Sequence, residues 1–148
     1  MAFKIRICFK HFVLVKNGKR FKSSRSIEWE VYRQLEHSCK NVFQISGFSY
    51  DISKLGSSNS AFFMPFTSTW GWATWARAWK SYDPLASGWK ELEKDNALRK
   101  KFDLNGAYDY ASMLEEQMIN NIDSWGVSWY WSVFKKNGLV LFPPKSMV

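Results

Sequence analysis

Cysteine, histidine and proline are scarce in this sequence: two Cys, two His and four Pro in 148 residues. Cys8 and Cys39 stand far apart with no C-x-x-C, which excludes a disulfide framework and a cysteine-ligated metal site and suits a reducing cytoplasm. His11 and His37 have no partner at a ligand or catalytic spacing, so each reads as a surface residue rather than a ligand or base. There is no G-x-S-x-G, no phosphate-cradling G-x-x-x-x-G-K-[ST] and no H-E-x-x-H, which removes the common hydrolase, P-loop and zinc-protease readings. No D-x-D occurs anywhere. Long hydrophobic runs are absent as well. Phe12-Val13-Leu14-Val15 is the most apolar stretch near the start, far short of the ~20 residues of a membrane-crossing helix, and its charged flanks argue against a secretory signal peptide.

Acid is missing from one end of the chain. Residues 1–25 carry Lys4, Arg6, Lys10, Lys16, Lys19, Arg20, Lys22 and Arg25 with no Asp or Glu, which accounts for the whole net charge of +8. From Ser26 onward basic and acidic residues balance. The basic character therefore belongs to an N-terminal arm, and the body is a single α/β domain over 26–148. One reading makes the arm a solvated, disordered extension. A second gives it peripheral contact with anionic headgroups at the inner face of the cytoplasmic membrane. A third makes it foreign to the original fold. Nucleic-acid binding would need basic residues interleaved with aromatic ones; the body is neutral where most tryptophans lie, so no nucleic acid is expected.

What the sequence has in excess is aromatic side chains, 18% of the chain with nine Trp, twelve Phe and six Tyr. Such rings fill cores, and they also form stacking faces for sugars. Ile27, Val31 and Leu35 line one face of a helix over 27–38, with Ser26 as its cap. Asn41–Gly47 reads as a buried strand and turn, and 53–60 as a polar loop. Ala61–Phe66 reads as an edge strand limited by Pro65. Trp72, Trp75 and Trp79 fall at i, i+3, i+7 and predict a helix, closed by Asp83-Pro84. Residues 89–102 and 107–120 predict further helices, the latter with Tyr110, Met113, Leu114, Gln117 and Met118 inward. Asp123-Ser124 caps an aromatic helix over 125–136, which Asn137-Gly138 ends. Leu139–Phe142 is a last strand. Helices alternating with short strands give an α/β fold with a short, incomplete sheet and several packed helices. The open edges of such a sheet call for a cover or a partner chain.

The segment Thr67-Ser68-Thr69-Trp70-Gly71-Trp72-Ala73-Thr74-Trp75 concentrates candidate chemistry. Gly71 lets the backbone turn between two indoles and lets a ligand come close. Trp70 and Trp72 offer faces to the C–H side of a sugar ring, and Thr69 and Thr74 offer hydroxyls. Trp75 and Trp79 read as core.

From Asn41 to Val148 the chain resembles the C-terminal, acceptor-side part of bacterial inverting glycosyltransferases with a GT-A fold, of the surface-polysaccharide kind. The likeness rests on Asn41-Val42-Phe43 through Gly47-Phe48, the Thr67–Trp75 block, Asp123-Ser124-Trp125 through Trp129-Tyr130, Lys136–Leu139, and the ending Phe142–Val148. It implies transfer of a sugar from a nucleotide-diphosphate donor to a glycan hydroxyl, in surface polysaccharide or lipopolysaccharide synthesis. A carboxylate before a helix of the acceptor half takes the hydroxyl proton, and Asp123 stands at that position; its alternative role is a plain N-cap. Thr69, Trp70, Gly71, Trp72, Thr74 and Trp125 form the implied substrate-binding set.

The chain also departs from this pattern. In these enzymes an N-terminal βαβ half binds the nucleotide, and its D-x-D holds Mg²⁺ or Mn²⁺. With no D-x-D and little sequence before Asn41, a partial GT-A-like fold is expected: an incomplete enzyme, inactive alone, with no metal of its own. Mg²⁺ or Mn²⁺ and the nucleotide-sugar donor would then enter with the other half. The competing reading is a non-catalytic carbohydrate-binding or interaction module that keeps the aromatic platform.

Overall fold

The computed structural model describes residues 14–16, 19–21, 39–50 and 61–146. The expected helix at 27–38 and the polar loop at 53–60 lie outside the described residues. The chain is mixed α/β and divides into two compact units, Met1–Lys80 with Gly138–Val148, and Ser81–Asn137. Sequence reading expects one domain from Ser26 onward.

The first unit carries the sheet. Its strands are β1 (Leu14–Lys16), β2 (Lys19–Phe21), β3 (Val42–Ser46), β4 (Phe62–Met64), β5 (Trp72–Thr74) and β6 (Leu139–Phe142), in the order β2-β1-β5-β3-β6-β4. Only β3 and β6 pair in parallel; every other neighbouring pair is antiparallel. β3 lies between two strands, and its run Val42-Phe43-Gln44 is buried throughout, as a strand covered on both faces requires. β6 buries Val140, Leu141 and Phe142. β4 ends the sheet on one side, in keeping with Pro65 directly after it. On the other side β1 and β2 pair with Lys16 opposite Lys19, and Val15 of β1 pairs with Trp72 of β5. Leu14–Lys16 and Lys19–Phe21 of the basic arm thus contribute two strands to the sheet.

The tryptophan-rich segment is not one helix. Trp72-Ala73-Thr74 is β5, Trp75 is the extended N-cap residue at φ −98° and ψ 152°, and the helix α1 is only Ala76–Trp79. A helical spacing of tryptophans is also compatible with a strand followed by a turn, and pairing with β3 decides the outcome. Trp75 is fully buried with Val42 and Leu141, against partly buried Cys39 and Ile45. Arg77 lays its guanidinium 4.8 Å from the Trp75 ring centre. Its Nη2 donates to Val42 O at 2.8 Å and Cys39 O at 3.3 Å, and its Nη1 to Lys40 O at 3.1 Å. These bonds satisfy carbonyls where the chain enters β3.

The second unit is helical: α2 (Glu91–Lys94), α3 (Asn96–Phe102), a 3₁₀ turn (Leu104–Gly106), α4 (Tyr110–Met118) and α5 (Trp125–Phe134). The stretch expected as one helix over 89–102 is broken at Asp95. That residue takes extended backbone, φ −120° and ψ 97°, and its Oδ1 accepts from the N–H groups of Ala97 and Leu98, both at 2.9 Å. Asp109 caps α4 in the same way, accepting from Ser112 N–H at 3.1 Å. The predicted Asp123-Ser124 cap takes a different form. Ser124 is the N-cap residue without a side-chain capping bond, and its own N–H donates to Gln117 Oε1. Along α5 every residue from Val127 to Val133 is buried, the signature of a helix covered on all sides. Phe102 stacks on Tyr130 at 4.5 Å and 12°, and the Tyr130 hydroxyl donates to Phe102 O at 2.8 Å. Asn137, at φ 48°, ends this helical unit in the left-handed conformation expected of it.

Candidate functional site: an exposed aromatic platform

Two loops of the first unit meet at one end of β3. Ser46 closes the strand. Its Oγ accepts from Phe48 N–H at 3.2 Å and donates to Phe48 O at 2.9 Å, which folds the chain back and fixes Phe48. The second loop, 67–71, leads into β5. Gly47 N–H donates to Gly71 O across the two loops at 2.5 Å. Below them the fully buried Gln44 donates from Nε2 to Ser68 O. A buried amide inside a sheet needs such a partner, and here the partner is the backbone of the site loop.

Gly71 lies at φ 53°, a conformation that costs other residues strain. Trp70 and Trp72 on either side of it differ sharply. Trp70 is 73% exposed, whereas Trp72 is 8% exposed and packs on Trp79 at 6.0 Å. Trp70 lies 6.4 Å from Phe48, Phe48 meets Tyr50 edge-on at 4.9 Å, and Tyr50 is 48% exposed. Tyr50 in turn rests on Phe66 at 5.6 Å and on Phe142 at 6.2 Å, both buried. The exposed rings are thus rooted in the core. Burial raises the Tyr50 phenol above its ordinary value, so it stays a neutral hydroxyl at physiological pH. Neither 42–50 nor 61–76 contains a charged residue. The surface is aromatic and uncharged in its own segments.

Of the predicted substrate-binding residues, Thr69, Trp70 and Gly71 lie together on this loop, with Thr69 exposed beside Trp70. Trp72 and Thr74 belong to β5 below it. The Trp72 indole is buried, and Thr74 Oγ1 donates to Phe43 O at 2.6 Å, so both side chains hold the strand in place. The two indoles flanking Gly71 therefore act differently: one faces solvent, the other packs. Phe48, which the sequence offers only as part of the likeness, and Tyr50, which it does not offer at all, are platform residues; the signal was an aromatic directly after the Ser46-Gly47 turn. Asp123 and Trp125 belong to the second unit. Asp123 is exposed, and Trp125, at the start of α5, is 42% exposed.

Among the described residues no group of three or more His, Cys, Asp or Glu side chains converges to hold an ion. No described helix is long and apolar enough to cross a membrane. No protein family, no curated protein and no solved structure matches the chain.

Proposed function

We propose that this chain is the acceptor side of a GT-A-type inverting glycosyltransferase, and that the Trp70 platform seats the glycan whose hydroxyl is to be glycosylated. The observation that carries the reading is Trp70 itself, a large ring held 73% exposed on a loop pinned by buried Gln44. An isolated exposed aromatic is common, but an exposed ring continuous with Phe48 and Tyr50 and anchored from below is a built surface. A pyranose stacks its C–H face on such rings and turns its hydroxyls to groups such as Thr69. The lack of charge in these segments fits a neutral ligand. The resemblance across Asn41–Val148 supports the same assignment.

In this reading Asp123 is the general base. The role comes from the resemblance, in which a carboxylate before a helix takes the acceptor proton as the diphosphate leaves; Asp123 is an exposed residue of the second unit. Donor and divalent metal, Mg²⁺ or Mn²⁺, would be held by a D-x-D half, a motif that this sequence does not contain. The setting is cytoplasmic, at the inner membrane face, where lipid-linked polysaccharides are built.

Calorimetric titration with nucleotide-diphosphate sugars plus Mn²⁺, and separately with oligosaccharides, tests the assignment. Oligosaccharide binding without donor binding is expected of the chain alone. Transfer activity should appear when a donor half is supplied, and Asp123→Asn should abolish it. Full turnover by that variant would remove Asp123 from the role. Oligosaccharide binding with no transfer under any pairing would favour the non-catalytic module.

A further inference from the structure

The aromatic platform is longer than a single sugar requires. Strand pairing places Trp72, Ser46, Phe142 and Phe62 side by side at one end of the sheet. Ser46 of β3 pairs with Trp72 of β5. Ile45 pairs with Leu141 in the parallel ladder of β3 and β6, which brings Phe142 beside Ser46, and Phe62 of β4 pairs with Phe142. The rings follow this line. Trp70 precedes β5, and Phe48 and Tyr50 follow β3. Tyr50 rests on Phe142 at 6.2 Å, and Phe62 stacks on the same Phe142 at 5.7 Å and 14°. Phe66 meets Tyr50 at 5.6 Å and Phe142 at 5.2 Å. Phe66 and Phe142 are buried and form the floor of the row. Trp70 and Tyr50 stand exposed on it, with Phe48 and Phe62 half-buried.

From β5 through β3 and β6 to β4 the row crosses three interstrand steps, about 14 Å at the usual strand spacing. One six-membered ring cannot cover that length; two or more linked rings can. The aromatic faces are not coplanar either. Phe48 is tilted by 51° to Trp70 and stands at 85° to Tyr50, so the two exposed rings offer separate faces. Successive units of a glycan turn about each glycosidic bond and can meet such faces one after the other. Each end also carries a hydroxyl. Thr69 is exposed next to Trp70 in the loop, and the neutral phenol of Tyr50 can donate to or accept from a sugar hydroxyl. The segments that bear the rings, 42–50, 61–76 and 139–142, hold no charged residue, which matches an uncharged occupant. Asp51, next in sequence to Tyr50, lies outside the described residues.

Resting on the glycan reading of the platform, we infer that this row binds a chain of at least two linked neutral sugars, one on Trp70 and another on Tyr50. The acceptor is then the end of an oligosaccharide rather than a free monosaccharide, and Tyr50 sets that preference.

The test is calorimetric titration of the full chain with methyl glycosides of glucose, galactose, mannose and N-acetylglucosamine, and with the corresponding tetrasaccharides. The quantity read is the ratio of tetrasaccharide to monosaccharide affinity, counted per sugar unit. For at least one of these sugars wild type should show a ratio of about ten or more, the gain expected of a second ring contact. Tyr50→Leu keeps apolar packing on Phe66 and Phe142 but removes the stacking face and the hydroxyl, and it should bring the ratio close to one. Tyr50→Phe, which keeps the ring, should preserve most of it. Trp70→Ala should weaken both ligands. Unchanged thermal unfolding confirms that the variants fold. A wild-type ratio near one, with saccharide bound, would overturn the inference and leave the glycan reading standing. A high ratio that Tyr50→Leu does not alter would do the same. Binding of no saccharide, or of a proline-rich peptide alone, would overturn both.

Discussion

Trp70 and Trp75 sit five positions apart in one tryptophan-rich segment, and the structure gives them opposite work, so alanine at each should have opposite consequences. Trp75 is fully buried against Val42 and Leu141. Replacing a buried Trp by Ala costs about 3–5 kcal/mol through lost transfer energy and the cavity left behind. The Arg77 guanidinium, 4.8 Å from the ring centre, loses its support too, about 0.5–1 kcal/mol more. Trp75→Ala should therefore remove about 3.5–6 kcal/mol from a domain whose whole stability is on the order of 5–15 kcal/mol. Trp70, 73% exposed, should cost no more than about 0.5 kcal/mol. Urea denaturation followed by far-UV circular dichroism measures both, with the midpoint shifting and the slope preserved. A loss for Trp70→Ala comparable to that for Trp75→Ala would mean that Trp70 is packed, and the platform would lose its principal ring.

Three further outcomes follow from the second unit. Tyr130→Phe leaves the buried Phe102 carbonyl without its 2.8 Å donor and should cost about 1–2 kcal/mol in chemical denaturation. The Asp83 carboxyl is held below its ordinary value by the Ser87 hydroxyl first, then by the Ser87 backbone N–H and further by that of Leu85, with burial opposing. Its contribution to stability is thus complete above the unfolded value of about 4 and is lost as pH falls through the lower folded value. Asp83→Asn should lower stability at neutral pH and flatten the acid limb of the stability–pH curve; an unchanged limb would refute this. Asn137, exposed at φ 48°, should tolerate Gly with no loss, whereas Asn137→Ala should destabilise by about 1 kcal/mol, read as a drop in melting temperature.

Local signals carried much of the fold. Val42–Ser46 and Leu139–Phe142 were legible as apolar runs bounded by turn residues, and Pro65 marked β4 as an edge. Of the inward stripe expected for α4, Leu114 is fully buried and Tyr110, Met113, Gln117 and Met118 are half-buried, while Ala111, outside the stripe, is buried as well. Tyr110–Met118 and Trp125–Phe134 both fall within the predicted helices. The sequence was ambiguous where two periods coincide. Trp72, Trp75 and Trp79 satisfy a helix, but Trp72–Thr74 also satisfies a strand, and pairing with Gln44, Ile45 and Ser46 is a long-range fact no local window contains. The break at Asp95 was hidden because a capping Asp in a charged run resembles a solvent-facing helical residue. In the candidate site, the turning role of Gly71 and the exposure of Trp70 were legible. The roles of Phe48, Tyr50 and Gln44 depend on which loops the sheet brings together, and spacing along the chain is silent on that.

Glycan binding by the Trp70 platform is the core of the proposed function. Calorimetric titration of the wild-type chain and of Trp70→Ala with neutral oligosaccharides tests it most directly. Wild type should bind saturably, and the variant should lose at least tenfold, about 1.4 kcal/mol, with the fold intact. Equal binding by the two proteins, or none by wild type, would contradict it.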